Sequence, residues 1–222
     1  MKNIVFLIFL IFSSLFFAQS QSDDKMDKIL DEMCSNLKQS ENLSDYVRIK
    51  IIQDQYIIPY LSEFPQTKRK SIAENLIIRF QKRCEYFREY LSKVNRKQND
   101  HWIKLDKRPN ITITDEDISQ LKNTKSLYYF EHSGEKTLVK TDSKFWIETF
   151  TDKTNSKLFY NWTGKNKFEL EFIESSNNAR KNFSRKGDKY IYEVISKEND
   201  FYWILATIPG QTALVKFRLF TE

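Results

Sequence analysis

Residues 168–220 constrain the fold most. They hold four runs of alternating or aromatic-rich residues: Phe168-Glu-Leu-Glu-Phe, Lys189-Tyr-Ile-Tyr-Glu-Val-Ile, Phe201-Tyr-Trp-Ile-Leu-Ala-Thr-Ile and Ala213-Leu-Val-Lys-Phe-Arg-Leu-Phe. A period of two places successive side chains on opposite faces of an extended chain, and Gly, Asn or Asp closes each run, so the pattern reads as an antiparallel meander. The same signal extends back to Leu127-Tyr-Tyr-Phe-Glu, Thr137-Leu-Val-Lys, Phe145-Trp-Ile-Glu-Thr-Phe and Leu158-Phe-Tyr-Asn-Trp. About eight strands at such regular spacing suit an antiparallel barrel or a curled meander sheet. No long helix separates them, so parallel crossovers have nowhere to form. Ser175 to Phe183 breaks the pattern and reads as one helical turn closing one end. The strands Lys189 to Ile195 and Phe201 to Ile208 are apolar on both faces, which requires something to cover them outside.

The N-terminal half has helical periodicity instead. Met26, Ile29, Leu30, Met33, Cys34 and Leu37 recur at spacings of three and one, with Asp23, Asp24 and Asp27 in the first turn, where negative charge favours a helix. A second helix is expected from the cap Ser44, with Ile49, Ile52, Tyr56, Tyr60 and Phe64 on one stripe. It either kinks at Pro59 or stops at Ile58 and resumes. The third has the capping-box spacing Ser71 and Glu74, or starts a turn earlier at Thr67. It carries Ile72, Leu76, Ile77, Phe80, Cys84, Phe87 and Leu91 on its apolar face. Cys34 and Cys84 thus share the buried faces of two helices that must pack, and a disulfide between them is expected. The class is therefore α+β: a three-helix unit over residues 21–98 followed by an antiparallel β domain over 99–222. In the intervening linker, Trp102, Ile103 and Leu105 are expected to tie the halves together.

Ahead of both lies Met1-Lys2-Asn3, an apolar run from Ile4 to Phe12 and the small residues Ser13, Ser14, Ala18 and Ser20. This order reads as a cleavable export signal over residues 1–20, with cleavage after Ala18 the near alternative. A secreted or periplasmic location follows, with no transmembrane anchor once the signal is cleaved. Charged residues make up 30% of the chain at a formal net charge of +6, well mixed in sign. That balance does not suit specific nucleic-acid binding, which concentrates cations on one face.

Catalytic signatures are missing: no Gly-x-Ser-x-Gly elbow, His-Glu-x-x-His or phosphate-binding glycine loop occurs. No cofactor and no metal site is expected. His101 and His132 read as surface histidines, and Asp115, Glu116 and Asp117 as helix-capping charges behind Thr114. Glu169 and Glu193 are the carboxylate pair to weigh for hydrolysis across the sheet. The third helix offers Lys68, Arg69, Lys70, Arg79, Lys82, Arg83 and Arg88 as a basic face for anionic surfaces, interrupted by Glu74, Glu85 and Glu89. Aromatic residues reach 15%. If a barrel leaves room inside, Tyr128, Phe130, Trp146, Trp162, Phe172, Tyr192, Tyr202 and Trp203 are the candidates to line a site for an apolar or ring-shaped ligand.

The segment from Trp162 through Ile173-Glu-Ser-Ser-Asn-Asn to Gly187-Asp188 resembles the C-terminal β region of small secreted or periplasmic proteins of Bacteroidetes. The likeness spans about residues 145–220. That pattern includes a Cys shortly after the Trp, where Asn166 and Lys167 stand here. The resemblance implies export and a β fold and carries no catalytic residue. The functional expectation is an exported, non-enzymatic envelope protein that binds a small ligand or a protein partner through its β domain. The alternatives are a carboxylate-dependent hydrolase or an anionic-surface binder through the third helix.

Overall fold

The structure, a computed structural model, describes residues 24–94 and 100–222. The expected export signal over residues 1–20 lies outside the described residues, as does the 95–99 part of the linker. The chain divides into two units, residues 1–94 and 95–222, close to the boundary expected between 98 and 99.

The first unit is helical: α1 (24–39), α2 (Asp45–Ile52), a π-helical turn (Gln53–Ile57), α3 (Ile58–Ser62), α4 (Gln66–Arg83) and α5 (Glu85–Val94). Ser44 caps α2, its hydroxyl accepting from the Val47 amide. Proline lacks the amide that would continue an α-helix, and the helix passes Pro59 by widening just before it. The Ile58 amide reaches back five residues to the Gln53 carbonyl, so the apolar stripe continues through. The α4 helix starts at Gln66, directly after Pro65, and the Ser71–Glu74 spacing falls inside it. The Ser71 hydroxyl bonds back to the Lys68 carbonyl. The expected third helix is broken at Cys84, which is extended (φ −116°, ψ 111°). Arg88 bridges the break by donating to the carbonyls of Gln81 and Lys82 at 2.7 and 2.9 Å.

Met26, Leu30, Met33 and Leu37 of α1 meet Ile52, Tyr60, Leu76, Phe80 and Phe87 in one core, with Phe80 and Phe87 stacked at 4.4 Å. Cys34 and Cys84 are disulfide-bonded across it, 50 residues apart in sequence.

The second unit is a closed barrel. Its elements are β1 (Trp102–Leu105), α6 (Asp115–Asn123), β2 (Ser126–Phe130), β3 (Lys136–Thr141), β4 (Phe145–Thr149), β5 (Asn155–Trp162), β6 (Lys167–Ser175), α7 (Asn178–Phe183), β7 (Lys189–Glu198), β8 (Phe201–Thr207) and β9 (Leu214–Thr221). Strands β2 to β9 follow one another antiparallel, and β9 pairs with both β8 and β2 to close the ring. Trp102, Ile103 and Leu105, expected in the linker, instead form the ninth strand. Their strand β1 pairs with β9 from Trp102↔Phe217 to Leu105↔Leu214. A four-residue strand is too short to register as a periodicity.

Alternation sends one residue in two to the axis. Leu127, Tyr129, Val139, Trp146, Leu158, Tyr160, Phe168, Leu170, Phe172, Val194, Tyr202, Ile204, Phe217 and Leu219 fill the interior, so all eight barrel strands contribute. Helix α6, capped by Thr114 as expected, plugs one end with Ile118 and Leu121. The expected helical turn, α7, lies at the other end. The two-faced strands are explained within this unit. Ile195, Trp203 and Leu205 form an outer cluster with Ile103, Leu105, Phe201 and Leu214. Lys216 sits over the Trp203 ring at 3.9 Å. The chain after β1 crosses β7 there, the amides of Thr112 and Ile113 both donating to the Ile195 carbonyl at a bulge.

In the chain-entropy picture, closing a loop of this length stabilises the fold by about 4 kcal/mol. Replacing both Cys34 and Cys84 by Ala is expected to lower the stability of the helical unit by that order in urea melts. Denatured, unreduced protein should show no free thiol; two thiols would contradict the bridge.

Candidate functional site

At the α7 end the barrel turns from apolar to charged. Glu148 follows Trp146 by two residues on β4 and so points the same way, toward the axis. Its Oε1 accepts from the Tyr129 hydroxyl at 2.9 Å and the Trp146 indole at 3.3 Å. Glu131 continues the inward face of β2 beyond its last residue. Its Oε1 accepts from the Thr137 hydroxyl at 2.8 Å and from Arg180 of α7. Arg180 Nη2 also lies 3.3 Å from the Tyr129 hydroxyl, and the guanidinium sits 5.3 Å from the centre of the Phe150 ring. Three successive contacts, none longer than 3.3 Å, therefore link the two carboxylates through Arg180 and Tyr129. This places them within the about 10 Å that paired-carboxylate chemistry uses.

The site is held from both sides. Asn177 caps α7, accepting from the Arg180 amide at 3.1 Å, and its own amide donates to the Thr154 hydroxyl at 2.9 Å. Ser184, just after α7, bonds the Tyr190 hydroxyl. Beneath the charges, Tyr192 stacks on Phe168 at 5.2 Å, and Trp102 stacks on Phe217 at 4.6 Å.

The electrostatics follow from this enclosure. Burial raises the Glu148 carboxyl above its ordinary value; nearby Arg180 pulls the other way and Glu131 adds to the rise. Burial and then Glu148 hold the Tyr129 phenol well above the usual tyrosine value. Burial works against the Arg180 charge, but Tyr129, Glu148 and Glu131 outweigh it and raise its pKa. His132, against the Trp102 ring at 4.8 Å, is pushed down by burial.

The ligand candidates named from sequence do not converge on one site. Trp146, Phe172, Tyr192, Tyr202 and Trp162 belong to the inner core, with Tyr202 and Trp162 toward the α6 end. Tyr128 and Phe130 join Phe220 in an aromatic cluster alternating away from the core residues Leu127 and Tyr129, and Trp203 lies in the outer cluster. Glu169 and Glu193 are likewise outward. Glu169 meets Lys189 at 2.9 Å, and Glu193, only 4% exposed, meets Lys167 at 3.4 Å and Arg108. The inward pair is Glu131 with Glu148 instead. The signal for Glu148 was present in sequence, as a charge on the apolar side of Phe145-Trp-Ile-Glu-Thr-Phe.

Other candidates have structural partners. His132 is exposed at the surface as expected, its ring tilted against Trp102, while His101 is half-buried and stacks on Phe130 at 4.3 Å. Asp117 accepts from Thr114 and Lys197, which together hold its carboxyl below the usual range. On α4, Arg83 grips Asp31 through two bonds of 2.5 and 2.7 Å, Arg79 faces Asp27 at 3.8 Å, and Arg69 donates to the Phe64 and Ser62 carbonyls. A shallow depression beside Leu37, Arg48, Ile49, Tyr86 and Tyr90 has no room for even a water molecule and so is no ligand site. Among the described residues no group of three or more His, Cys, Asp or Glu could hold a metal, and no helix is long and apolar enough to cross a membrane.

Compared with known proteins, the chain matches no family model, no curated protein and no solved structure.

Because Glu148 is raised in the fold, its contribution to stability is full below the ordinary carboxyl range and is lost as pH rises through the raised value. Glu148→Gln keeps an acceptor for Tyr129 and Trp146 without the charge. It is expected to melt a few degrees higher than the parent at about pH 8, with the gap closing toward about pH 4. A lower melting temperature at the higher pH would show that the carboxylate charge stabilises the mouth.

Proposed function

We propose that this is an exported, non-enzymatic protein whose barrel binds a small amine-bearing ligand at the α7 end. The observation that carries the reading is the Glu148 carboxylate. It sits inside the barrel and, among the described residues, accepts hydrogen bonds only from the neutral donors of Tyr129 and Trp146. Arg180 is committed to Glu131, so the mouth holds two carboxylates for one guanidinium. Two enclosed carboxylates that share one guanidinium are costly, and an ammonium group is the chemistry that would offset the excess charge. The filled interior supports a small ligand held near the mouth over one threaded deep along the axis. Rings at this end, including Tyr192 and Trp102, suit a ligand with a flat apolar part. Export is supported by the order of residues 1–20 and by the disulfide, which persists in oxidising compartments.

A second reading, hydrolysis by paired carboxylates, is favoured by one feature. Burial raises Glu148, as an acid requires, while Arg180 holds Glu131 as its ion-pair partner. Under that reading, release of nitrophenol from nitrophenyl glycosides would vanish in both Glu131→Gln and Glu148→Gln.

Binding is tested by titrating the full chain with benzylamine while following tryptophan fluorescence, with benzyl alcohol as the neutral control. The expected result is a saturable change for the amine alone, stronger at about pH 8 than at about pH 5 as Glu148 ionises. It should weaken about tenfold or more in Glu148→Gln. An equal response to benzyl alcohol, or no saturable response to benzylamine, would overturn the reading.

A further inference from the structure

We propose that the outer face of β3, β4 and β5 docks on an anionic lipid surface. The outward positions of these adjacent strands are Lys136, Leu138 and Lys140, then Phe145, Ile147 and Thr149, then Asn155, Lys157, Phe159 and Asn161. They hold three lysines, four large apolar side chains and no carboxylate. Carboxylates stand at the margins: Glu169, Glu171 and Glu174 on β6, Asp142 in the β3–β4 turn, and Glu222 beside Lys136. Asp142 is turned onto the amides of Lys144 and Phe145, at 2.7 Å each.

The apolar part is open to solvent: Leu138 is 40% and Phe159 38% exposed. Phe145 and Phe159 stack at 5.7 Å, and the turn residue Lys144 and Lys157 lay their ammonium groups over these rings, Lys157 at 4.0 Å from Phe145. Lys144 and Lys157 thus keep apolar stems along the rings, while Lys136 meets Glu222 at 3.7 Å. That arrangement lets heads reach phosphates while the stems and rings enter the headgroup boundary.

Shape and composition select the partner. The outside of a barrel is convex and offers no groove to grip an extended anionic polymer, whereas a soft bilayer conforms to it. Leu138 and Ile147 are aliphatic, so they add nothing to base or sugar stacking but gain from burial among acyl chains. The charge complement is an anionic headgroup layer, which attracts nearby lysines and is screened by salt.

The test compares sedimentation of the full chain with phosphatidylglycerol-containing vesicles and with phosphatidylcholine vesicles, reading the anionic-over-neutral ratio. That ratio removes any charge-independent contribution of the apolar run Ile4 to Phe12. It is expected to exceed one clearly at low salt and to collapse at about 0.5 M salt. Lys140→Glu with Lys157→Glu should reduce it about 25-fold or more. Phe159→Ser, which leaves charge unchanged, should lower anionic binding several-fold while the far-ultraviolet spectrum stays that of the parent. Lys68→Glu with Lys70→Glu on α4 is the control and should change little. Three outcomes would overturn the proposal: a ratio near one in the parent, a loss in the α4 control equal to that in the barrel variants, or capture by dextran sulfate with none by anionic vesicles.

Discussion

The structure of the second unit depends on the two edges of β9. One edge bonds to β8 from Phe201↔Phe220 to Ala206↔Val215. The other is shared end to end, with β2 taking Leu127↔Thr221 and Tyr128↔Phe220, and β1 taking the stretch from Trp102↔Phe217 to Leu105↔Leu214. Two residue pairs are a short seam for closing eight strands. The short β1 strand completes it by satisfying backbone groups that a longer β2 would otherwise have met. The same strand carries Trp102 into the interior and Ile103 and Leu105 onto the outer cluster, so it fastens the sheet on both faces.

Closure decides where chemistry can occur. Eight strands give an interior just wide enough for side chains to fill or for one small ligand. Here Trp146, Phe168, Phe172, Tyr202 and Phe217 fill the middle and α6 plugs one end. What remains is the α7 end and the outside. At the α7 end the sequence places Glu131, Glu148 and Arg180 where apolar residues would pack at lower cost. Arg180 pairs with Glu131, and the hydrogen bonds of Glu148 come from neutral donors. The outside divides just as sharply. The β7–β8 side is apolar and covered, while the β3–β5 side is apolar, cationic and open.

Much of this was legible in sequence because it rests on period and spacing. The eight barrel strands, the caps Ser44 and Thr114, the turn of α7 and the pairing of Cys34 with Cys84 all follow from local patterns. What escaped was set by tertiary geometry. Strand β1 exists because β9 has a vacant edge, a fact absent from Trp102-Ile-Lys-Leu itself. The break at Cys84 interrupts an apolar stripe that reads as continuous. The mouth cluster draws one residue each from β4, from the end of β2 and from α7, segments 17 and more residues apart in sequence, so no spacing rule unites them. Glu148 alone carried a signal, as a carboxylate on the face of Trp146. Glu169 and Glu193, chosen instead, alternate outward with the pleat.

The most direct test is the titration of Glu148 itself, followed by carbon-13 carboxyl NMR with and without benzylamine. The account predicts a Glu148 pKa above the ordinary glutamate value in the free protein, falling when the amine binds, because an adjacent ammonium favours the charged carboxylate. A Glu148 that titrates at the ordinary value and ignores the amine would contradict it.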